Sequence, residues 1–140
     1  ILLVYILENN RIVSKERMLE VYFNIIEWGP NVYGIGEASR FYFNKMPQDL
    51  NVNQCLFLAG IIPKPKGFMS RLENTEKLKP YAQQQNDFLM QLMFKRNLIT
   101  VNDTIGNFAL DISGPAKMYL KQKPANIIEN DSLGLEEFDF

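Results

Sequence analysis

The chain has 140 residues, 46% of them hydrophobic, and a formal net charge of −1 at pH 7. This length fits one domain or a large piece of one, and the charge lacks the basic excess typical of nucleic-acid-binding proteins. There is no histidine and only one cysteine, Cys55. These counts exclude a Ser-His-Asp triad, a Cys-His pair and an internal disulfide, and they argue against a zinc site.

The first elements are predicted to be helical. The apolar run at residues 1–8 is typical of the end of a buried helix, although a buried strand fits as well. A chain rarely begins inside such an element, so we expect residue 1 to be a cut. Ser14 is the predicted N-cap of the next helix, in which apolar residues recur every three or four positions from Met18 to Ile26. Gly29-Pro30-Asn31 is expected to end that helix.

Two further helices are expected in the middle of the chain. One runs from about 33 to 42, and the other passes through residues 55–61, is capped by Asn51 or Asn53, and is apolar on nearly all sides. The two prolines in residues 63–67 predict a loop, because proline lacks the backbone donor that a helix interior needs.

The last predicted elements are a long helix and weaker features. The long helix spans about 76–95, and Asn97 is its expected C-cap. A short helix begins at residues 100–103, and residues 117–123 form either a helical turn or a strand. The acidic tail at 126–140 is expected to be loosely held. The inner face of the long helix is predicted to carry Leu78, Tyr81, Ala82, Phe88, Leu89, Leu92 and Met93. The fold class is therefore all-α, with little evidence for strands.

The most informative stretch is residues 14–45, SKERMLEVYFNIIEWGPNVYGIGEASRFYFNK. It resembles the peptidoglycan glycosyltransferases of family 51, which are the transglycosylase domains of class A penicillin-binding proteins and of their monofunctional relatives. Their pattern is SK-x-x-I-L-E-x-Y-L-N, an aromatic–Gly turn, and Y-G-(I/V)-x-x-A-(A/S)-x-x-Y-F-x-K. The matching positions are Ser14, Lys15, Leu19, Glu20, Tyr22, Asn24, Gly29, Tyr33, Gly34, Ala38, Tyr42, Phe43 and Lys45.

The resemblance extends beyond this stretch and implies a fold. The Glu27-Trp28-Gly29 turn is closer to the monofunctional enzymes, and the similarity continues through Pro63 and Pro65 before fading near Lys95. It implies a lysozyme-like glycosyltransferase lobe, truncated at its N-terminus. We expect residues 1–115 to be the C-terminal part of such a domain and residues 116–140 to be an extension.

The motifs that carry catalysis in that family do not occur in this sequence. The family's first catalytic Glu lies in E-D-x-x-F-x-x-H-x-G, followed by G-G-S-T-I-T-Q-Q, and its second important Glu ends R-K-x-x-E. By register the second Glu would immediately precede Ile1. We therefore expect no catalytic residue within this chain, and we expect the 140 residues alone to be inactive.

The chain does contain residues suited to holding substrate. Glycan polymerisation needs a base for the sugar hydroxyl of the acceptor and cations facing the departing lipid diphosphate. The resemblance implies that a Lys in the loop after the apolar helix contacts the phosphate region; Lys64 is the nearest match and Lys66 is the alternative. Lys15, Arg40 and Lys45 belong to the same cationic set. Tyr22 is either a core aromatic or, as the resemblance implies, part of the glycan cleft.

Other matched residues have competing structural interpretations. Glu20 is expected to be a structural carboxylate that satisfies backbone or Arg groups, and Asn24 a buried amide bridging two helices. Trp28 is either a sugar-stacking platform or a lid on the core. Arg40 and Lys45 fit solvated helix-face charges by position, whereas the resemblance implies a role in stabilising the fold, with substrate contact as the alternative.

Three functional hypotheses follow. The first is a fragment of an enzyme that polymerises lipid-linked disaccharide-pentapeptide (lipid II) into glycan strands. Its parent would lie on the outer face of the bacterial cytoplasmic membrane, attached by an N-terminal anchor absent here, with no nucleic-acid partner. The resemblance also implies a divalent metal in the full domain, although no metal ligands are predicted in this chain.

The second hypothesis is a non-catalytic helical binding or scaffold module. The third is a lysozyme-like hydrolase using Glu20, which needs a second carboxylate about 5–9.5 Å away.

Overall fold

The computed structural model describes residue 9 and residues 12–104 and 109–121. These residues form six helices, α1 to α6, two 3₁₀ segments and one small hairpin, so the predicted mainly helical fold class is confirmed. The apolar segment at 1–8 and the acidic tail at 126–140 lie outside the described residues. The helices are α1 Lys15–Ile25, α2 Ile35–Phe43, α3 Val52–Ile61, α4 Pro80–Lys95, α5 Val101–Thr104 and α6 Lys117–Lys121, the strands are β1 Glu27–Gly29 and β2 Val32–Tyr33, and the 3₁₀ segments are Pro47–Asp49 and Pro65–Arg71.

Helix α1 begins where the capping signal predicts. The hydroxyl of Ser14 accepts a hydrogen bond from the backbone N–H of Arg17 at 3.2 Å, which satisfies one of the donors left open at a helix N-terminus. The helix ends at Ile25, and the next residue, Ile26, already has an extended backbone. No residue of α1 is fully buried, so its apolar residues contribute only partly to the described core.

A short antiparallel hairpin joins α1 to α2 and was not predicted. Its strands pair Glu27 with Tyr33 and Gly29 with Val32, with a register irregularity between them. Asn31 in the turn has a φ of 59°, a left-handed conformation that Asn tolerates better than most residues. Strands of two or three residues are too short to show the alternation by which a strand is recognised in a sequence.

The core lies between α2, α3 and the second 3₁₀ segment. The ring of Tyr42 packs edge-on against Phe57 and Phe68, with centroid distances of 5.4 and 5.1 Å. Its hydroxyl donates a buried 2.7 Å hydrogen bond to the carbonyl of Trp28. Tyr42 therefore ties the hairpin to the same cluster as α2 and α3. The other buried members are Val32, Ala38, Phe43, Leu58, Ile61, Leu72, Leu78, Ala82, Leu110, Ile112 and Ala116.

The apolar helix α3 has a well-defined start. The side chain of Asn51 accepts from the backbone N–H of Gln54, and the side chain of Gln54 accepts from the N–H of Asn51, which completes a capping box. This selects Asn51 over Asn53 as the cap. Pro65 in the following segment occupies the first turn of a 3₁₀ helix, where a proline is tolerated. The predicted loop at 63–67 is therefore partly helical.

Helix α4 starts later than predicted, at Pro80 rather than near residue 76. Lys79 has an extended backbone with a ψ of 152°, as expected for a residue whose α conformation is disfavoured by the proline after it. Leu78, placed on the helix by the sequence, instead forms an isolated bridge with Leu72. Arg96 ends the helix, and Asn97 follows with a φ of 55°, the left-handed residue just beyond the cap.

The predicted inner face of α4 is wrong at two positions. Tyr81 and Phe88 are 46% and 65% exposed. Ala82 and Asn86 are the buried residues of this helix. Hydrophobicity alone selected the aromatic residues, whereas the buried side of the helix carries the small Ala82 and the polar Asn86.

Residues 109–121, here called the C-terminal strap, form hydrogen bonds with the C-terminal end of α2. The backbone N–H groups of Gly114 and Ala116 donate to the carbonyls of Tyr42 and Phe41 at 3.0 and 2.9 Å. The hydroxyl of Ser113 donates to the carbonyl of Phe43 at 2.8 Å. A helix leaves its last carbonyls unsatisfied, and the strap supplies their donors. A side chain at Gly114 would collide with the carbonyl oxygen of Phe41.

The strap crosses the predicted boundary at residue 115. Ala116 is fully buried in the same core as α2. Tyr119 packs against the rings of Phe41 and Phe68 at 5.9 Å each. The boundary between a domain at 1–115 and an extension at 116–140 stays a prediction. The described residues of that extension, 116–121, belong to the packed structure.

Candidate functional site

The loop that carries Lys64 is held by local turns. The N–H of Lys64 donates to the carbonyl of Ile61, and the N–H of Gly67 donates to the carbonyl of Lys64, both at 3.0 Å. A Cβ at Gly67 would lie 3.0 Å from three carbons of the Lys64 side chain. The aliphatic part of Lys64 therefore lies over Gly67, and the residue is exposed.

Lys66, two residues further on, has a partner on the hairpin. Its ammonium lies 3.4 Å from Oε1 of Glu27 at the start of β1. That carboxylate oxygen is buried and accepts no hydrogen bond from residues 12–104 or 109–121. The structure thus brings Lys64 and Lys66 onto one loop and joins this loop to the hairpin through Glu27.

Phe68 attaches the Lys64–Lys66 loop to the core. Its side chain is fully buried and packs edge-on against Phe41 at 6.2 Å and Tyr119 at 5.9 Å. Sequence reasoning did not select Phe68 or Tyr119. Phe68 carried a detectable signal as the aromatic residue after Pro65 and Gly67, whereas nothing local marks Tyr119.

The predicted residues Tyr22 and Lys15 both lie on α1. Tyr22 is 41% exposed, so it is not a buried core aromatic, and its ring lies 5.7 Å from that of Phe23. Lys15, in the first turn, is exposed. Within residues 12–104 and 109–121, neither residue forms a hydrogen bond or an ion pair with the Lys64–Lys66 loop.

The two cations of α2 and its C-terminal turn have different partners. A guanidinium nitrogen of Arg40 lies 3.5 Å from the sulfur of Met46 at the surface. The ammonium of Lys45 donates at 3.3 Å to Oε1 of the buried Gln54. Gln54 also donates to the carbonyl of Leu110 at 3.1 Å. Lys45 is thus joined through Gln54 to the C-terminal strap, a contact that supports its fold-stabilising role.

Trp28, Glu20 and Asn24 had competing interpretations, and their positions in the structure differ. Trp28 is 2% exposed and donates its ring N–H to the carbonyl of Phe23 at 3.1 Å, so it is a core residue and not a sugar platform. Glu20 forms a surface ion pair with Arg17 at 2.7 Å. Asn24 is exposed and donates to the carbonyl of Glu20 at 2.8 Å. The prediction of a buried, helix-bridging Asn24 is wrong, because its amide folds back onto the preceding turn of its own helix.

An apolar groove of about 250 Å³ opens beside Trp28, between the hairpin, α3 and the first 3₁₀ segment. Its lining contains no charged side chain, so it offers no partner for a phosphate. The lining residues are Phe23, Trp28, Ile35, Pro47, Leu50, Cys55, Leu58, Ala59 and Ile62.

The described residues contain neither a cluster of metal-binding side chains nor a helix able to span a membrane. No group of three or more Cys, Asp or Glu side chains is arranged there to hold a metal ion. The resemblance implies a divalent metal for the full domain and not for these residues. In the same part of the chain, no helix combines the length and the apolar character needed to cross a bilayer.

The described residues form a mainly helical lobe with a hairpin between α1 and α2 and a loop carrying Lys64 and Lys66 after α3, and sequence comparison identifies its family. The model of the Transglycosylase family matches residues 3–93, more than half of the chain. The chain therefore belongs to the transglycosylase family. The matched region contains every predicted substrate-binding residue and ends before the C-terminal strap.

Individual relatives agree with this assignment. A biosynthetic peptidoglycan transglycosylase from Acinetobacter baylyi is 45% identical over 56 residues, covering 40% of this chain and 25% of the relative. One from Shewanella amazonensis is 33% identical over 93 residues, covering 64% of this chain and 35% of the relative. One from Acinetobacter baumannii is 41% identical over 69 residues, covering 49% and 30%. The chain thus spans between a quarter and about a third of the curated relatives it matches.

Proposed function

We propose that this chain is part of a peptidoglycan glycosyltransferase that polymerises lipid II into glycan strands. The observation that carries the proposal is the match of residues 3–93 to the transglycosylase family, supported by relatives named biosynthetic peptidoglycan transglycosylases. The partners are then lipid II and the growing glycan strand. The location is the bacterial cell envelope, on the outer face of the cytoplasmic membrane, with attachment through an N-terminal anchor.

The role proposed for the described residues is substrate binding rather than bond breaking. Lys64, with Lys66 as the alternative on the same loop and Lys15 and Arg40 as further positive charges, faces the diphosphate of the donor, and the exposed ring of Tyr22 lines the glycan cleft. Preorganised cations stabilise the negative charge that develops on a departing diphosphate. The catalytic carboxylates are expected upstream, in E-D-x-x-F and R-K-x-x-E motifs. No observation favours the scaffold or hydrolase hypotheses.

The gene and the full-length protein test this proposal together. We expect the reading frame upstream of Ile1 to encode both acidic motifs, and the full-length protein to convert lipid II into glycan polymer on a gel. A frame without either motif, or a full-length protein that binds lipid II without polymerising it, would instead support the scaffold hypothesis.

The Lys64 assignment has its own test in the full-length protein. Lys64→Ala should lower polymerisation by about ten- to a hundredfold, since hydrogen bonds to charged groups contribute about 1.5–3 kcal/mol. Lys121→Ala, at an exposed position at the end of α6, is the matched control and should leave the rate within about twofold. Equal losses in the two variants would count against the loop assignment.

A further inference from the structure

We propose that Glu27 is a positioning residue that withholds Lys66 from the diphosphate subsite and leaves Lys64 as the cation of the loop that meets the leaving group. This inference rests on the proposed function. It separates two lysines that are two residues apart and that sequence reasoning treated as interchangeable.

The environment of Glu27 supplies the first argument. Its side chain is 22% exposed, and Oε1 is buried without a hydrogen-bond partner in the described part of the chain. An ionised oxygen removed from water requires a compensating charge or donor. Lys66 is the cation within ion-pair distance of it, with 3.4 Å between Nζ and Oε1. The carboxylate therefore holds the ammonium against the hairpin.

The difference between the two lysines supplies the second argument. Lys64 forms no ion pair with any residue in 12–104 or 109–121, and its stem is held over Gly67 by the turns on either side. Lys66 forms one, although its side chain is 68% exposed. A paired ammonium presents little net charge to a distant anion, because the field of its carboxylate opposes its own. An incoming diphosphate thus meets an unpaired charge at Lys64 and a neutralised one at Lys66.

The position of Glu27 makes this arrangement independent of substrate. It lies on β1, which packs against the second 3₁₀ segment and is also held by the hydrogen bond from Tyr42 to the carbonyl of Trp28. Removing the charge of Glu27 while keeping its shape should release Lys66. The released ammonium lies two residues from Lys64 on the same exposed loop, so it adds a second cation to the subsite.

Titration of the 140-residue chain with inorganic pyrophosphate at low ionic strength tests this, with calorimetry as the readout. Lys64→Met should weaken binding by about tenfold or more, the size of one charge-assisted contact. Lys66→Met should change it by less than about twofold, because the paired charge contributes little. Glu27→Gln should strengthen binding by about three- to tenfold, and Glu27→Gln/Lys66→Met should lose that gain. Lys121→Met is the control for non-specific charge effects.

The sign of the Glu27→Gln effect separates positioning from a merely structural role. A purely structural carboxylate would give a less stable protein with unchanged or weaker binding, which far-UV circular dichroism and denaturation would reveal. A gain that persists in the double variant, an equal loss in Lys64→Met and Lys66→Met, or no pyrophosphate binding by any variant overturns the inference. If the proposed function fails while this inference holds, the variants still show the expected order of affinities for pyrophosphate. The full-length protein then makes no glycan from lipid II.

Discussion

Two glycines close together in the sequence have opposite structural roles. Gly34, just before α2, has a φ of +81°, and a Cβ there would lie 2.9 Å from the backbone oxygen of Asn24. Gly36, inside α2, has open space around the equivalent position. The first glycine allows the hairpin to pass close to the end of α1, whereas the second is a weak point in a helix.

We therefore expect Gly34→Ala to lower the free energy of unfolding by at least about 1–2 kcal/mol, from the left-handed backbone alone. Gly36→Ala should raise it by about 0.5–1 kcal/mol, because alanine is the better helix former. Urea denaturation of the two variants measures both values. Similar destabilisation of both would show that the steric explanation is wrong.

Tyr42 is the residue whose hydroxyl joins the hairpin to the core. Burial, with a smaller contribution from the nearby Tyr119, raises its pKa well above the ordinary value of 10.0. The folded protein then holds the phenolic proton more tightly than the unfolded chain. This contribution to stability is complete below the unfolded pKa and decreases as the pH rises above it.

The corresponding prediction is a loss of stability above about pH 10 that is weaker in Tyr42→Phe. At pH 7 the same variant should be about 1–3 kcal/mol less stable, because the Trp28 carbonyl loses its buried donor. Thermal melts between neutral and alkaline pH measure both effects. An identical alkaline slope in the two proteins would assign the loss to other tyrosines or to lysines.

Among the elements, the C-terminal strap departs most from what local patterns indicate. It lies beyond the residues matched to the family, yet its backbone donors satisfy the last carbonyls of α2, and its residues Leu110, Ile112 and Ala116 are buried. Tyr119 in turn packs on Phe68 beneath the cationic loop. The strap therefore stabilises both the core and the loop on which the proposed diphosphate contact depends.

A substitution in the strap should destabilise the whole domain. Ile112 is fully buried, so Ile112→Ala should cost about 2–5 kcal/mol of unfolding free energy, the usual range for such a cavity. Met118→Ala, at a position that is 64% exposed, is the control and should stay within about 0.5 kcal/mol of the parent. Guanidinium denaturation followed by fluorescence of the single tryptophan, Trp28, provides the measurement. A negligible effect at Ile112 would mean that the strap is dispensable.

The elements also show where local patterns are reliable. The N-cap at Ser14 follows from adjacent residues and is found as predicted, whereas α1 ends at Ile25, before the predicted stop at Gly29-Pro30-Asn31, which instead lies in the hairpin. Pro80 carried the signal for the start of α4, but the apolar residue before it, Leu78, favoured an earlier start. The inner face of α4 was assigned from hydrophobicity, and Phe88 is exposed because the neighbouring helix, which the sequence cannot position, lies along another side.

For the molecule as a whole, the proposed function assigns substrate binding to this chain and catalysis to residues expected upstream. The chain supplies a helical wall, a hairpin and a cationic loop, whereas the expected catalytic carboxylates are absent from its sequence. We therefore predict that the purified 140-residue chain forms no glycan polymer from lipid II, with the full-length protein as the positive control. Polymer made by the 140 residues alone would show that they contain an unrecognised base.

The sequence by itself determined the family, the helical class and the order of α1 to α4, because capping residues, turn residues and apolar spacing act over a few neighbouring positions. It also identified the loop that carries Lys64 and Lys66. Only the tertiary structure decided that Lys66 is paired and that Lys64 has no ion-pair partner among the described residues, since Glu27 meets that loop through the packing of β1 on the second 3₁₀ segment. The closure of α2 by the strap was decided in the same way, because its hydrogen bonds join segments far apart in the chain.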